Sequence, residues 1–454
     1  LSKKSDKPKR EMTKRQLSHW QRENRIQRIA MLAGAVVILA VLVMVGTGIY
    51  LGKYKPLNAV VIKVGDKEYT LDYYIDMLVL YGLTTGTQYI PYVTDIAVQQ
   101  IEQNELVIRE AAKEPYSITV SDEEVNKTIA ERNYPAKPAI IDAVRAELVL
   151  DKLKNEYFDK KVVPQSAEQR AALAMFLESQ SQVDAVKARL EKGESFGDIA
   201  TELSRENNSK SRGGDFGWVP RGVLPYILGD TSNTVLEDKV FAPDTQVNVL
   251  TQVEDTKQAK NIGYWLIKIT ETRDVTSTVT PTPTGTETPE PTTETTRQVH
   301  LFAMLLKSEE EALQIKARLE AGEDFATLAN EFSQYTNLST GTINGGDLGW
   351  KSKGDMGTAI DSVIWPDDPT KALGVNTLSD PIPDTSRTTP GGIWLIKVTG
   401  IEASKAIEGD NRTALVNVQL NNWLQKIWDD NKDQLQVFLS EEQKVYAVSK
   451  AYER

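Results

Sequence analysis

Three hydrophobic rhythms divide this chain. The first is unbroken: from Ile29 through Gly52 no residue is charged, and 31–45 is almost purely aliphatic. As a helix rising ~1.5 Å per residue, this stretch reaches ~36 Å, enough for a ~30 Å hydrocarbon layer. A buried core helix would show a polar face, and a cleaved signal usually has only ~7–15 apolar residues. The pattern therefore predicts an uncleaved transmembrane helix over 29–52.

The second rhythm is helical. Val60–Val64 and Lys67–Thr70 alternate about Gly65-Asp66 and read as a short hairpin. Beyond it, Thr70 can cap a helix carrying Ile75, Leu78 and Val79 on one face. Residues 94–113 continue the pattern, and Ser121-Asp-Glu-Glu124 is a capping box opening another helix. Residues 139–158 place Val144, Leu148, Leu153 and Tyr157 at helical spacing. Residues 57–162 are thus expected to form a mostly α-helical module. In the tail, 402–454, Val416, Leu420, Trp423 and Ile427 form a stripe that needs a partner. It is expected to pack on 57–162 and complete that module; the alternative is a free binding helix.

The third rhythm is written twice, over 166–273 and 297–401. Lys187-Ala-Arg-Leu-Glu191 leads to Gly213-Gly-Asp-Phe-Gly-Trp218 and Gly263-Tyr-Trp-Leu-Ile-Lys268. Lys316-Ala-Arg-Leu-Glu320 leads to Gly345-Gly-Asp-Leu-Gly-Trp350 and Gly392-Ile-Trp-Leu-Ile-Lys397. Each copy opens with an apolar strand (173–177; 301–306), followed by a capping box at Ser179 or Ser308. A helix stopped by Gly193 or Gly322 comes next, and then a second helix headed by Phe196 or Phe325. With the closing strand laid beside the opening strand of the same copy, each repeat makes a β-α-α-β unit, giving an α+β protein with two tandem domains. The glycines of Gly-Gly-Asp are expected to serve a tight turn rather than a ligand. Between the copies, 274–296 is Thr/Pro/Glu-rich with one aliphatic residue and reads as a spacer.

Charge orients this architecture. Residues 1–28 carry ten Lys/Arg against three Asp/Glu, so the rest of the chain holds −18 within a total of −11. The basic flank is expected to stay cytoplasmic, which exports everything after about residue 52. A body this acidic argues against nucleic acid as a partner. The absence of cysteine excludes disulfides, thiolate metal sites and a cysteine nucleophile, and two histidines leave little for a metal centre. No cofactor is expected.

Phe196 or Phe325, Gly-Gly-Asp-[Phe/Leu]-Gly-Trp and Gly-[Tyr/Ile]-Trp-Leu-Ile-Lys, in that order and twice, resemble the parvulin family of peptidyl-prolyl cis–trans isomerases. The helical segments on both sides resemble those of SurA- and PrsA-type foldases. The resemblance implies rotation about X–Pro bonds, whose barrier is ~18–20 kcal/mol, on unfolded or proline-containing exported polypeptides. It also implies a site with a histidine pair on adjacent strands, a Cys or Asp beside it, and an apolar proline pocket. Here the histidine positions fall on Ala174 and Trp265 in the first copy and on Ala303 and Trp394 in the second. The Cys/Asp position falls on Glu206 and Tyr335. Pocket positions match Leu224, Leu236 and Phe241, and Met356, Ile360 and Trp365. A small and a large residue can replace two facing histidines at conserved volume, so Trp265 is expected to cover Ala174, and Trp394 to cover Ala303. His300, an odd number of residues from Ala303, should face away. Three functions follow: an anchored isomerase and foldase, a chaperone without turnover, or a scaffold with the repeats as spacers.

Overall fold

The computed structural model describes residues 55–279, 292–335 and 344–454. The basic segment 1–28 and the apolar stretch 29–52 lie outside them, as does 280–291. Among the described residues no helix is long and apolar enough to cross a membrane. The chain divides into two compact units, one running to Val162 and joined by Gln419–Arg454, the other Val163–Val418.

In the first unit, β1 (Val60–Val64) and β2 (Lys67–Thr70) form an antiparallel hairpin turning on Gly65, whose φ is +60°. Leu435–Val437 adds a third antiparallel strand on β1. The Thr70 hydroxyl accepts from the Tyr73 N–H and starts helix Leu71–Thr85. Helices Thr94–Ala111, Asp122–Glu131 and Pro138–Lys152 follow, the second opened by the full capping box of Ser121 and Glu124. The last helix, Glu441–Tyr452, packs on Leu71–Thr85, and Arg454 pairs with Asp72 and Asp76. Trp423 meets Tyr116 edge-on at 5.6 Å between ring centroids.

Among the described residues the second unit holds eight strands: β3 (Ser166–Leu177), β4 (Asp215–Pro220), β5 (Leu250–Lys260), β6 (Gly263–Val279), β7 (Thr292–Leu306), β8 (Asp347–Lys351), β9 (Ile382–Asp384) and β10 (Thr389–Ala406). They make two four-stranded sheets, ordered β4-β3-β10-β5 and β8-β7-β6-β9. Neither sheet is one repeat. The closing strand of the first copy, β6, pairs with β7, and the closing strand of the second, β10, pairs with β3. Pairing within each copy, as the repeat suggested, is therefore replaced by a reciprocal exchange.

The cause lies in the segment between the copies. β6 and β7 pair from Tyr264↔Leu306 to Val279↔Thr292, one long antiparallel ladder with a register shift between Ile269 and Glu271. Residues 274–279 and 292–296, read from composition as spacer, supply its far end. Their β-branched threonines suit a pleated strand once a neighbouring strand is available. Because both closing strands carry Trp-Leu-Ile-Lys, β10 completes the sheet that β6 leaves.

Side-chain parity is the same in both sheets. Met175 and Leu177 face helices Gln180–Glu191 and Phe196–Leu203, packing with Val183, Val186, Phe196 and Ile199. Met304 and Leu306 do the same against Ala312, Ile315, Phe325 and Leu328. Ser179 and Ser308 accept the N–H of Gln182 and Glu311, whose side chains reach back to the N–H one residue before the cap. The opposite faces carry Ala174 and Ala303.

Candidate functional site

On its free face, the β6–β7 sheet gathers Trp265, Ala303, Met356 and Ile360 into one buried cluster, with Tyr335 and Trp365 half-buried against it. All the second-copy pocket positions therefore meet at Ala303. The tryptophan above them comes from the first copy. In register, Trp265 stands opposite Leu305 and Ile267 opposite Ala303, so the indole reaches Ala303 along the diagonal. The β3–β10 sheet repeats the arrangement: Trp394 stands opposite Phe176 and Ile396 opposite Ala174. The Trp394 and Phe176 rings lie 4.9 Å apart. Both tryptophans and both alanines are buried. The small-and-large replacement holds, but each tryptophan covers the alanine of the other copy.

Each indole is pinned by a carboxylate that the sequence reading passed over. Trp265 Nε1–H donates to Asp384 at 2.9 Å, and Trp394 Nε1–H donates to Asp255 at 3.0 Å. Asp255 also accepts from the Asn233 amide (2.9 Å) and from the backbone N–H of Lys257 and Gln258. Asp384 accepts from the Ser386 N–H and hydroxyl, with Arg387 at 3.6 Å. Burial alone pushes the Asp384 carboxyl upward. The Ser386 and Trp265 donors and the Arg387 charge outweigh it and hold it below the usual carboxylate range. A signal existed: each aspartate stands ten residues before the tryptophan of its own copy.

The third position differs between the sheets. Glu206 is buried and spent on structure: it caps the short helix Asn207–Lys210, accepting from the N–H of Asn208 and, at 2.7 Å, of Ser209. Tyr335 instead meets Trp265 edge-on at 5.1 Å, and the Arg387 guanidinium lies over both rings, 5.5 and 5.7 Å from their centroids. Leu224 and Leu236 are buried, Leu236 on helix Val235–Val240, which packs on β5 and β10. Phe241 is covered by Arg221 and Arg170, 4.9 and 5.3 Å from its centroid.

Behind the site strands run the glycine turns. Gly214 and Gly346 have φ of +77° and +76°, and a Cβ on either would stand 2.5 or 2.7 Å from the carbonyl oxygen of Ala174 or Ala303. The turn thus sets the strand that bears the site. His300 faces the other way, its Nδ1 3.0 Å from the Thr270 hydroxyl and its ring against Phe302 and Trp350.

A compact sheet with two helices on one face and this tryptophan-roofed layer on the other occurs twice, and the family comparison assigns it. The PPIC-type PPIASE domain family matches residues 151–273 and, again, 303–400. Both repeats are parvulin domains.

The chain carries two of them and is SurA/PrsA-like. It is 23% identical over 331 residues to the chaperone SurA of Chromohalobacter salexigens, covering 72% of this chain and 63% of that protein. It is 37% identical over 103 residues to the foldase protein PrsA of Geobacillus kaustophilus, covering 23% of this chain and 32% of that protein. The matches thus span less than two thirds of either relative. A crystal structure of the PrsA peptidylprolyl isomerase from Bacillus anthracis overlaps 33% of this chain and 68% of its own, at 15% identity and a TM-score of 0.23. Against the parvulin pattern, the departure is local: neither histidine position carries a titratable group in either domain.

Proposed function

We propose that this protein is a membrane-anchored, extracytoplasmic chaperone of unfolded or proline-containing segments of exported polypeptides, with parvulin domains that work without isomerase turnover. The observation that carries the reading is the filled site. Where the family's two histidines would face a substrate, an indole held by an aspartate closes over an alanine in both domains. A twisted amide needs a cleft that admits it and favours it over the planar ground state; a packed apolar layer supplies neither. Anchoring and export are supported by the apolar stretch 29–52 and its basic flank.

The competing reading, an active isomerase, is favoured by Met356, Ile360 and Trp365 remaining together beside Ala303. One experiment separates them. The full chain is assayed for protease-coupled isomerisation of prolyl peptides and, in parallel, for suppression of aggregation of a denatured client. The chaperone reading expects isomerisation at the buffer rate with clear suppression. Turnover above buffer that falls on Met356→Ala would replace it with the isomerase reading.

A further inference from the structure

The first unit carries an exposed apolar surface that its own core does not explain. Residues 77–94 hold no charge, the longest such run in the chain after 29–52. Part of the run is buried. Ile90 packs against Gly82, where an added Cβ would stand 3.0 Å from the isoleucine, and this holds Thr87–Tyr92 along helix Leu71–Thr85. Its neighbours turn outward: Leu83, Tyr89, Tyr92 and Ile96 are all exposed, Tyr92 by 80%. Helix Glu441–Tyr452 packs on Thr87–Tyr92, and its Lys444 pairs with Asp95 at 2.7 Å, which brings Val445, 72% exposed, to the same surface. Single exposed apolar residues are ordinary, but a cluster that includes two tyrosines marks a contact surface.

We propose that this surface docks on the bilayer that anchors the chain, with Tyr89 and Tyr92 at headgroup depth. The course of the chain argues for lipid as the occupant. Seven residues separate Gly52, the end of the apolar stretch, from Ala59, and they reach at most ~25 Å. The Ala59 carbonyl accepts from the Leu71 N–H at 2.9 Å, at the start of helix Leu71–Thr85. One turn on, the Tyr74 hydroxyl donates to the Thr94 carbonyl at 3.0 Å, two residues from Tyr92. Short contacts therefore join the exposed tyrosines to the helix end at which the chain arrives from 29–52. A tether this short makes docking intramolecular, so a weak partition is enough. Tyrosine suits the boundary, its ring among acyl chains and its hydroxyl among headgroups. Asp95 and Glu441, both held by Lys444, border the surface and favour zwitterionic over anionic lipid. Resting on the anchored reading of 29–52, the docking adds a second membrane contact that sets how the first unit meets the bilayer.

The chain has no cysteine, so Gln88→Cys, at an exposed position between the apolar residues, takes a single environment-sensitive dye in the full chain. The labelled chain is reconstituted in phosphatidylcholine nanodiscs, with and without lipid spin-labelled at the headgroup. The dye should be quenched by the spin label and should emit to the blue of the same dye in a chain that also carries Tyr89→Ser and Tyr92→Ser. Both tyrosines are exposed, so unchanged helical circular dichroism is expected and certifies the variant as folded. Absence of quenching in a chain that stays with the nanodisc overturns the docking and leaves the anchor standing. Quenching that survives the double substitution also overturns it. A chain that leaves the nanodisc overturns anchor and docking together. A dye that responds only to an added unfolded polypeptide assigns the surface to clients instead of lipid.

Discussion

The two parvulin sheets hold the same constellation for different local reasons. In both, a tryptophan from one copy lies over an alanine of the other and donates its N–H to an aspartate. What differs is the support. Asp255 is surrounded by neutral donors and its indole packs on Phe176, whereas Asp384 leans on Arg387 and its indole meets Tyr335 and Leu305. The shared part is the pair that crosses between copies; the variable groups around it come from the copy that holds the aspartate. Reciprocal exchange explains this. A closing strand must satisfy the aspartate and first strand of its sister, so Trp-Leu-Ile-Lys and the preceding aspartate keep one pattern, while the groups around them are free to diverge.

The strongest test removes each indole. Trp265→Ala and Trp394→Ala should each cost roughly 3–5 kcal/mol in chemical unfolding, the usual range for truncating a fully buried aromatic. The diagnostic is where the damage falls. Amide hydrogen exchange in Trp265→Ala should quicken in β7, around Ala303, and leave β3 protected; Trp394→Ala should do the reverse. The opposite assignment would show that each copy closes its own sheet.

Next in size are the glycine turns. Gly214→Ala and Gly346→Ala each add a methyl within 2.7 Å of a strand carbonyl at a φ near +77°. Strain and overlap together predict a loss of about 2–4 kcal/mol by thermal unfolding, somewhat more at Gly214, where the oxygen is nearer. Tolerance of alanine at one turn but not at the other would break the symmetry between the two sheets.

How much of this was legible in the sequence depends on the range of the interaction. Thr70, Ser121, Ser179 and Ser308 announce helix starts because a cap is settled within three or four residues. Strand parity is equally local, which is why His300 could be assigned away from Ala303. Strand partnership is not local. β6 and β10 share the text that fits β3 and β7, so periodicity cannot choose between self-pairing and exchange. The choice lies in 274–279 and 292–296, where composition suggested a spacer but the threonine-rich backbone paired. The gathering of Met356, Ile360 and Trp365 beside Ala303 followed from family position. The aspartates were missed because a polar residue before a strand ordinarily reads as loop, and only their equal spacing from each tryptophan marks them.

Acid should weaken the β6–β7 sheet through Asp384. The Asp384 carboxyl is held below its ordinary range, so the stability it confers is present above the unfolded-state value, near pH 4, and is lost as pH falls through the lower folded value. Wild-type protein should therefore lose protection in the β6–β7 sheet on acidification below about pH 4. In Asp384→Asn that component should be absent and stability at pH 7 lower by about 1–2 kcal/mol. Asp255→Asn should cost a similar amount at pH 7, through the hydrogen bonds of Asn233 and Trp394. A pH profile for Asp384→Asn that overlays wild type would remove the ionic contribution of Asp384.

The smallest effect is the most specific to one sheet. Arg387 lies over Trp265 and Tyr335 and 3.6 Å from Asp384. Among the described residues no arginine is placed over Trp394. A guanidinium on an aromatic face contributes ~0.5–1 kcal/mol at a half-exposed site. Arg387→Ala should therefore lower stability by about 1 kcal/mol and quicken exchange in β9 and the facing end of β6, with β10 unaffected. Arg387→Lys should recover less than half of that loss, because an ammonium lacks the planar face that lies over the two rings. Full recovery by lysine would mean that Arg387 acts only through the charge of Asp384. The difference between the two sheets would then be electrostatic, with no contribution from the aromatic packing of Tyr335.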